Sequence, residues 1–315
     1  MNIVELAASG LLVGALVGLT GMGGGSLMTP VLVFAFGFSP TVAVGTDLLH
    51  GAVFKTVGAI RHRTLGTVQA RLSGWMFVGS APTSLVGVAV ATWLRHRYGA
   101  GVDSVTGRVL GGALVAGGLG MIAKGLVRYQ DVGDAPFLLT RRDRLVAVVI
   151  GLVGGFAVGL TSVGSGVFFG LTMLLVFPLR SAKVVGTDVF HAAALLWVAG
   201  LGHLVAGNVD LSAVAWLLLG SIPGVLVGSQ FTLRLPDRAL RLALGLVLLA
   251  SGERLLGAPT SLLAGAPAAI LLGLGLHRLL RRGSAKQLRP EPVLGGVNLS
   301  GYAGHGSEGS EGGGP

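Results

Sequence analysis

From residue 3 to about residue 280 the chain runs through eleven apolar stretches, with little polar sequence between them. They fall at about 3–20, 24–38, 41–60, 72–94, 104–126, 145–161, 165–179, 184–206, 211–233, 238–256 and 260–280. A helix needs about 20 apolar residues to cross a hydrocarbon core, and most of the stretches reach that length. The chain is 52% hydrophobic and 11% charged, with mean hydropathy +0.79; a soluble domain carries about 25% charged residues. These features predict an all-α polytopic membrane protein. The net charge of +10 fits basic residues crowding the cytoplasmic ends of membrane helices, and with no soluble basic domain it does not point to nucleic acid. The first segment has no basic n-region and carries Glu5, so it reads as a membrane segment, not a cleavable signal. There is no cysteine, hence no disulfide, thiolate metal site or cysteine nucleophile.

Two stretches are interrupted by glycine. "GLTGMGGGSLMTP" begins at Gly18, and "GLTSVGSG" begins at Gly159, 141 residues later. At that offset "VGTDLLH" (Val44 to His50) meets "VGTDVFH" (Val185 to His191), "GSAP" (Gly79 to Pro82) meets "GSIP" (Gly220 to Pro223), and His62 meets His203. The chain is therefore a duplicated unit with breaks at matching places, the sequence pointer to a secondary transporter. The stretches flanking each break are together too long for one straight helix and short for two complete ones.

Charge sets the expected topology. If each broken pair returns to its starting side, each half adds an odd number of crossings and the halves are inverted. Lys and Arg then divide 18 against 4, with Lys55 left inside the membrane; a single net crossing per pair divides them 9 against 13. The positive-inside rule selects the first. It places the tail and central linker in the cytoplasm and the N-terminus outside. The expected organisation is a first repeat at 1–127, a cytoplasmic linker at 128–144, a second repeat with the last helix at 145–282, and a Gly/Ser/Glu-rich disordered tail at 283–315. Each repeat opens with a glycine-broken helix pair, re-entrant or short and tilted.

Irregular backbone at membrane depth survives only inside protein or beside water. Glycines also let helices pack closely, which is the alternative use of such residues. A helix restarting at about Gly24 or Gly166 leaves unpaired N–H groups and partial positive charge, a receptor for an anion. The candidate substrate-binding residues are Gly23, Gly24, Gly25, Ser26 and Thr46, with Gly164, Ser165, Gly166 and Thr187 in the second half. No Gly-Lys-Ser/Thr follows the glycines, which excludes a P-loop.

Ionisable residues inside apolar segments are costly and point to function. Asp47, His50, Asp188 and His191 are the proton-coupling candidates; capping of backbone N–H groups near a segment end is the structural alternative for the aspartates. Lys55 shares a helix face with Asp47 and is the candidate charge partner; its repeat mate is Leu196. His62 and His203 read as interfacial loop residues. Four histidines without HxxxH or acidic spacing do not make a metal site, and no cofactor is expected. Thr46, Asp47 and His50 come closest to a catalytic constellation, but they lack a nucleophile arrangement and an oxyanion site, so the chain is not expected to be an enzyme.

"GLTGMGGGSLMTPVLVFAFGFSPTVAVGTDLL", followed by His62, "GTV" at Gly66 to Val68, and "GSAP", resembles the sulfite exporter TauE/SafE family over about residues 5–256. The resemblance implies a permease of a bacterial-type plasma membrane that exports sulfite or an organosulfonate. "GSGVFFGLT" in the second half lacks the triple glycine and the counterpart of Pro30, so the two half-sites are expected to be unequal. The expected function is secondary transport of a small anion, proton-coupled, with one half rocking against the other. An anion channel is the alternative. The partners are the anion and the lipid bilayer, and a homodimer is admitted.

Overall fold

The computed structural model describes residues 3–20, 25–99, 101, 104–126, 138–230 and 237–257. Ten helices follow one another there: α1 (Ile3–Thr20), α2 (Gly25–Phe36), α3 (Pro40–Thr64), α4 (Ala70–Tyr98), α5 (Val105–Leu126), α6 (Arg141–Thr161), α7 (Phe168–Val176), α8 (Ser181–Val205), α9 (Leu211–Gln230) and α10 (Asp237–Leu255). No strand occurs among the described residues. The helices follow the apolar stretches to within a few residues. Gly23, Gly24, most of the linker, the stretch at 260–280 and the tail lie outside the described residues.

Four helices, α4, α5, α6 and α8, are long and apolar enough to cross a membrane. Large apolar side chains such as Val78, Val86 and Trp93 on α4, and Val149 and Val153 on α6, stand exposed on the outer surface, as lipid contact requires. The chain is a multi-pass membrane protein.

Local sequence sets the helix ends. α3 starts from extended Ser39 (φ −61°, ψ 145°) with Pro40 in its first turn, where the missing N–H is no loss. α8 starts from Arg180 with nearly the same backbone (φ −61°, ψ 147°). α6 opens with a capping box in which Thr140 and Asp143 satisfy each other's backbone N–H.

Helices pair across the halves. α1 packs on α9, α4 on α6, α3 on α8 and α5 on α10. The 141-residue offset takes α1 to α6, α3 to α8 and α4 to α9. With α2 and α7 related by the same offset and α5 and α10 as counterparts in chain order, exchanging the halves returns the same set of pairings. Trp197 Nε1 donates to Thr56 Oγ1 at 2.9 Å, and these two residues are themselves repeat mates. The halves are thus interleaved, and the described residues fall within one compact unit.

The α4–α6 seam shows how the pairs close. Gly151 and Gly155 of α6 lie against the backbone of Met76 and Ser80 in α4; in the exchanged seam Gly10 and Gly14 of α1 lie against Leu217 and Ser221 of α9. A Cβ at Gly155 would run into the Ser80 carbonyl oxygen, part of a helix backbone that cannot retreat alone. In bilayers such close approach replaces the hydrophobic drive between helices. Gly112 of α5, by contrast, faces open space. We predict that Gly155→Val costs about 1–3 kcal/mol or more through overpacking. Gly112→Ala is expected to be neutral or to stabilise by up to about 1 kcal/mol. Thermal unfolding of both variants in detergent checks the contrast.

Candidate functional site

The second break is built from the end of α6. Ser162 adopts the left-handed region (φ 61°), Gly164 follows at φ 121°, and α7 begins at Phe168, two residues after the restart expected at Gly166. Gly164 occupies a conformation that a side chain resists. Residues 161–167 are all buried, so their peptide groups need partners from the protein.

Part of that need is met locally. The Gly164 carbonyl accepts from the N–H groups of Gly166 (2.8 Å), Phe168 (3.1 Å) and Phe169 (3.4 Å), and Thr161 Oγ1 accepts from Val163 N–H at 3.3 Å. The next two carbonyls face cations. Lys55 Nζ of α3 donates to Ser165 O at 3.0 Å and to Ser165 Oγ at 2.8 Å. Lys124 Nζ of α5 donates to Gly166 O at 2.9 Å. Each lysine is 2% exposed. Lys124, one of the 18 basic residues that the charge count assigns to the cytoplasmic side, is buried inside the protein at the end of α5.

The aspartates answer the lysines. Asp47 lies two turns into α3, so it does not cap its own helix; it reaches across to Thr29 of α2. Its Oδ2 accepts from Thr29 Oγ1 of α2 at 2.5 Å and from Ser162 Oγ at 2.9 Å, while Oδ1 is buried without a partner. Its mate Asp188 on α8 has different company. The position matching Thr29 is Gly170, where a Cβ would collide with Lys124 Nζ and stand 2.9 Å from Asp188 Oδ2. The missing side chain makes room for an ammonium beside the carboxylate. Lys55 acts electrostatically on both aspartates. Two carboxylates and two ammonium groups therefore gather near one irregular turn, with buried Arg241 of α10 beyond them beside Gly125.

His50 and His191 stay exchange-related. His50 Nε2 lies 2.9 Å from Ser221 Oγ and His191 Nε2 lies 3.4 Å from Ser80 Oγ. A narrow cleft opens beside His50, Asp47, Lys55 and Ser221. At the matching place in the second half Phe169 packs edge-on to His191 at 4.5 Å, and its ring also lies against Gly154. Thr46 and Thr187 serve helix junctions: they accept N–H groups from Asp210 (3.0 Å) and Gln69 (2.9 Å), anchoring the segments that lead into α9 and α4. Gly25 opens α2, with Ser26 following. His62 ends α3 and bonds Thr67 Oγ1 at 3.0 Å. His203 is no loop residue: it is fully buried in α8, with Nε2 at 2.8 Å from Gly159 O. Among the described residues no three His, Asp or Glu side chains converge as a metal site would require.

Sequence reading missed Thr29 and Ser162, the hydroxyl partners of Asp47, and above all Lys124. It sits in the last turn of α5, where a basic residue resembles a topology signal. The sequence clue to its burial is the Thr29-to-Gly170 change between the repeats.

A family model described as "Sulfite exporter TauE/SafE" matches residues 6–255. The chain belongs to the sulfite exporter TauE/SafE family. This TauE/SafE protein is 35% identical over 254 residues to the probable membrane transporter protein YjnA of Bacillus subtilis, a match covering 80% of this chain and 99% of that protein. It is 24% identical over 271 residues to the probable membrane transporter protein YunE of the same organism, covering 81% and 98%. A partial match, 28% identical over 176 residues, covers 51% of this chain and 58% of an undecaprenyl-diphosphatase of Anaeromyxobacter dehalogenans; it is too short and too distant to carry an activity across. No solved structure matches. The TauE/SafE protein is a membrane transporter.

Its Asp47 carboxylate depends on two distant hydroxyls. Thr29→Val and Ser162→Ala are each expected to lower stability by about 1–3 kcal/mol, the cost of removing a partner from a buried polar group. In an Asp47→Asn background the same substitutions should cost less, and a thermal-melt double-mutant cycle reads that coupling.

Proposed function

We propose that this TauE/SafE transporter carries a small anion, sulfite or an organosulfonate, outward across a bacterial-type plasma membrane, and that proton movement drives it. The observation that carries the reading is the pair of buried ammonium groups at the break. An anion entering a membrane interior needs positive charge that has already been desolvated, and Lys55 and Lys124 supply it with Ser165 and Gly166 as their resting partners. This shifts the weight of the site from helix-end N–H groups, several of which bond Gly164, to the lysines.

Asp47 is the proton carrier in this scheme. It is buried, lies beside the cleft, touches the break through Ser162, and has one oxygen without a partner. Neutralising it frees the lysines to hold the anion, which couples the two species by charge. Inverted halves, an outer N-terminus and a cytoplasmic tail complete the topology. Since each main helix pair joins the two halves, the bodies that move in alternating access each draw helices from both.

Flux of sulfite and of a small sulfonate through proteoliposomes, with an imposed pH gradient, tests the scheme. The wild type is expected to show saturable flux that follows the gradient. Asp47→Asn should lose the gradient-driven part by an order of magnitude or more while retaining anion exchange. Gradient-driven flux that survives this substitution removes Asp47 from coupling. Current that stays ohmic with anion concentration identifies a channel instead.

A further inference from the structure

The oxygens around the second break have the character of a cation site. Two adjacent backbone carbonyls (Ser165 and Gly166) and the Ser165 hydroxyl belong to the irregular turn, Asp47 reaches it through Ser162, and Asp188 stands beside Gly170 just past it. Unwound carbonyls and carboxylates of this kind are what hard cations take as ligands, and in transporters with broken helices they hold the coupling ion. Here the positions facing the carbonyls are occupied by covalently attached ammonium groups.

We infer that the break is a monovalent-cation site whose cations are the protein's own Lys55 and Lys124, so that the transporter neither binds nor needs free sodium or potassium. Three observations support this independently of which solute is carried. The lysines come from two different helices, α3 and α5, yet reach consecutive residues of the break. Glycine at position 170, where the first half has Thr29, leaves space for the Lys124 ammonium beside Asp188. The two ammonium groups at the break also stand against two buried carboxylates, Asp47 and Asp188. Asp47 Oδ1 and Asp188 Oδ1 are buried without partners, so ligands remain for an ion once a lysine is shortened.

The test is melting temperature of the purified full chain in detergent, with sodium, potassium or choline chloride at equal ionic strength. Wild type should melt at the same temperature in all three. Lys124→Ala and Lys55→Ala should melt several degrees lower in choline, and sodium or potassium should restore the loss saturably. Lys124→Arg, which keeps the charge, should remain indifferent to the salt. Saturable stabilisation of the wild type by sodium or potassium overturns the inference. So do alanine variants that fold but ignore the cation, or that stay unfolded in every salt, because a free ion must be able to take the vacated place. Anion flux is not read, so failure of the transport scheme leaves this result standing.

Discussion

A peptide group taken out of a helix inside a bilayer has no water to turn to, and this requirement organises the protein's centre. The turn at 162–167 bonds part of its own backbone through Gly164, and two lysines take the carbonyls that follow. Lysines so deep need counter-charges, and Asp47 and Asp188 provide them. Asp47 in turn holds Thr29 of α2 and Ser162 of the break. Four helices and the turn are thereby tied through one set of polar contacts. Deleting one member of a buried charge set costs far more than the net worth of the contact it made, since the remaining charges are stranded.

The same contacts explain why the repeats are alike in scaffold and unlike at the centre. Histidine–serine pairs, threonine anchors and glycine seams recur under exchange of the halves. The aspartates do not: one rests on hydroxyls, the other faces an ammonium across Gly170. The surroundings of the two histidines differ likewise: a cleft opens beside His50, whereas Phe169 stands against His191. An approximately symmetric scaffold thus frames a one-sided site, in keeping with the departure of "GSGVFFGLT" from its first-half counterpart.

Much of the fold was legible because lipid imposes long apolar runs and duplication leaves a constant offset. Asp47 and Lys55 could be placed on one helix face from their spacing alone. The pairing could not: Ser162 and Ser165 lie in the glycine break that the sequence marks, but more than a hundred residues away, and nothing local ties them to Asp47 and Lys55. The burial of Lys124 was hidden because a lysine near the end of an apolar run looks the same to a charge count whether it reaches outward to lipid headgroups or inward. His203 was misread for a related reason. "GHLVAGNV" has the composition of a loop, but its histidine points into the bundle toward Gly159. The partners of Asp47 were equally hidden, since the two hydroxyls it binds belong to other segments.

Interleaving bears on origin. Each half presents seams whose matching surfaces lie on the other half, α1 to α9 and α6 to α4. A half-length ancestor would have found those surfaces only on a second copy of itself. Either half alone would leave those seams uncovered unless a second copy supplied them, and only a single polypeptide lets the two centres carry different charges.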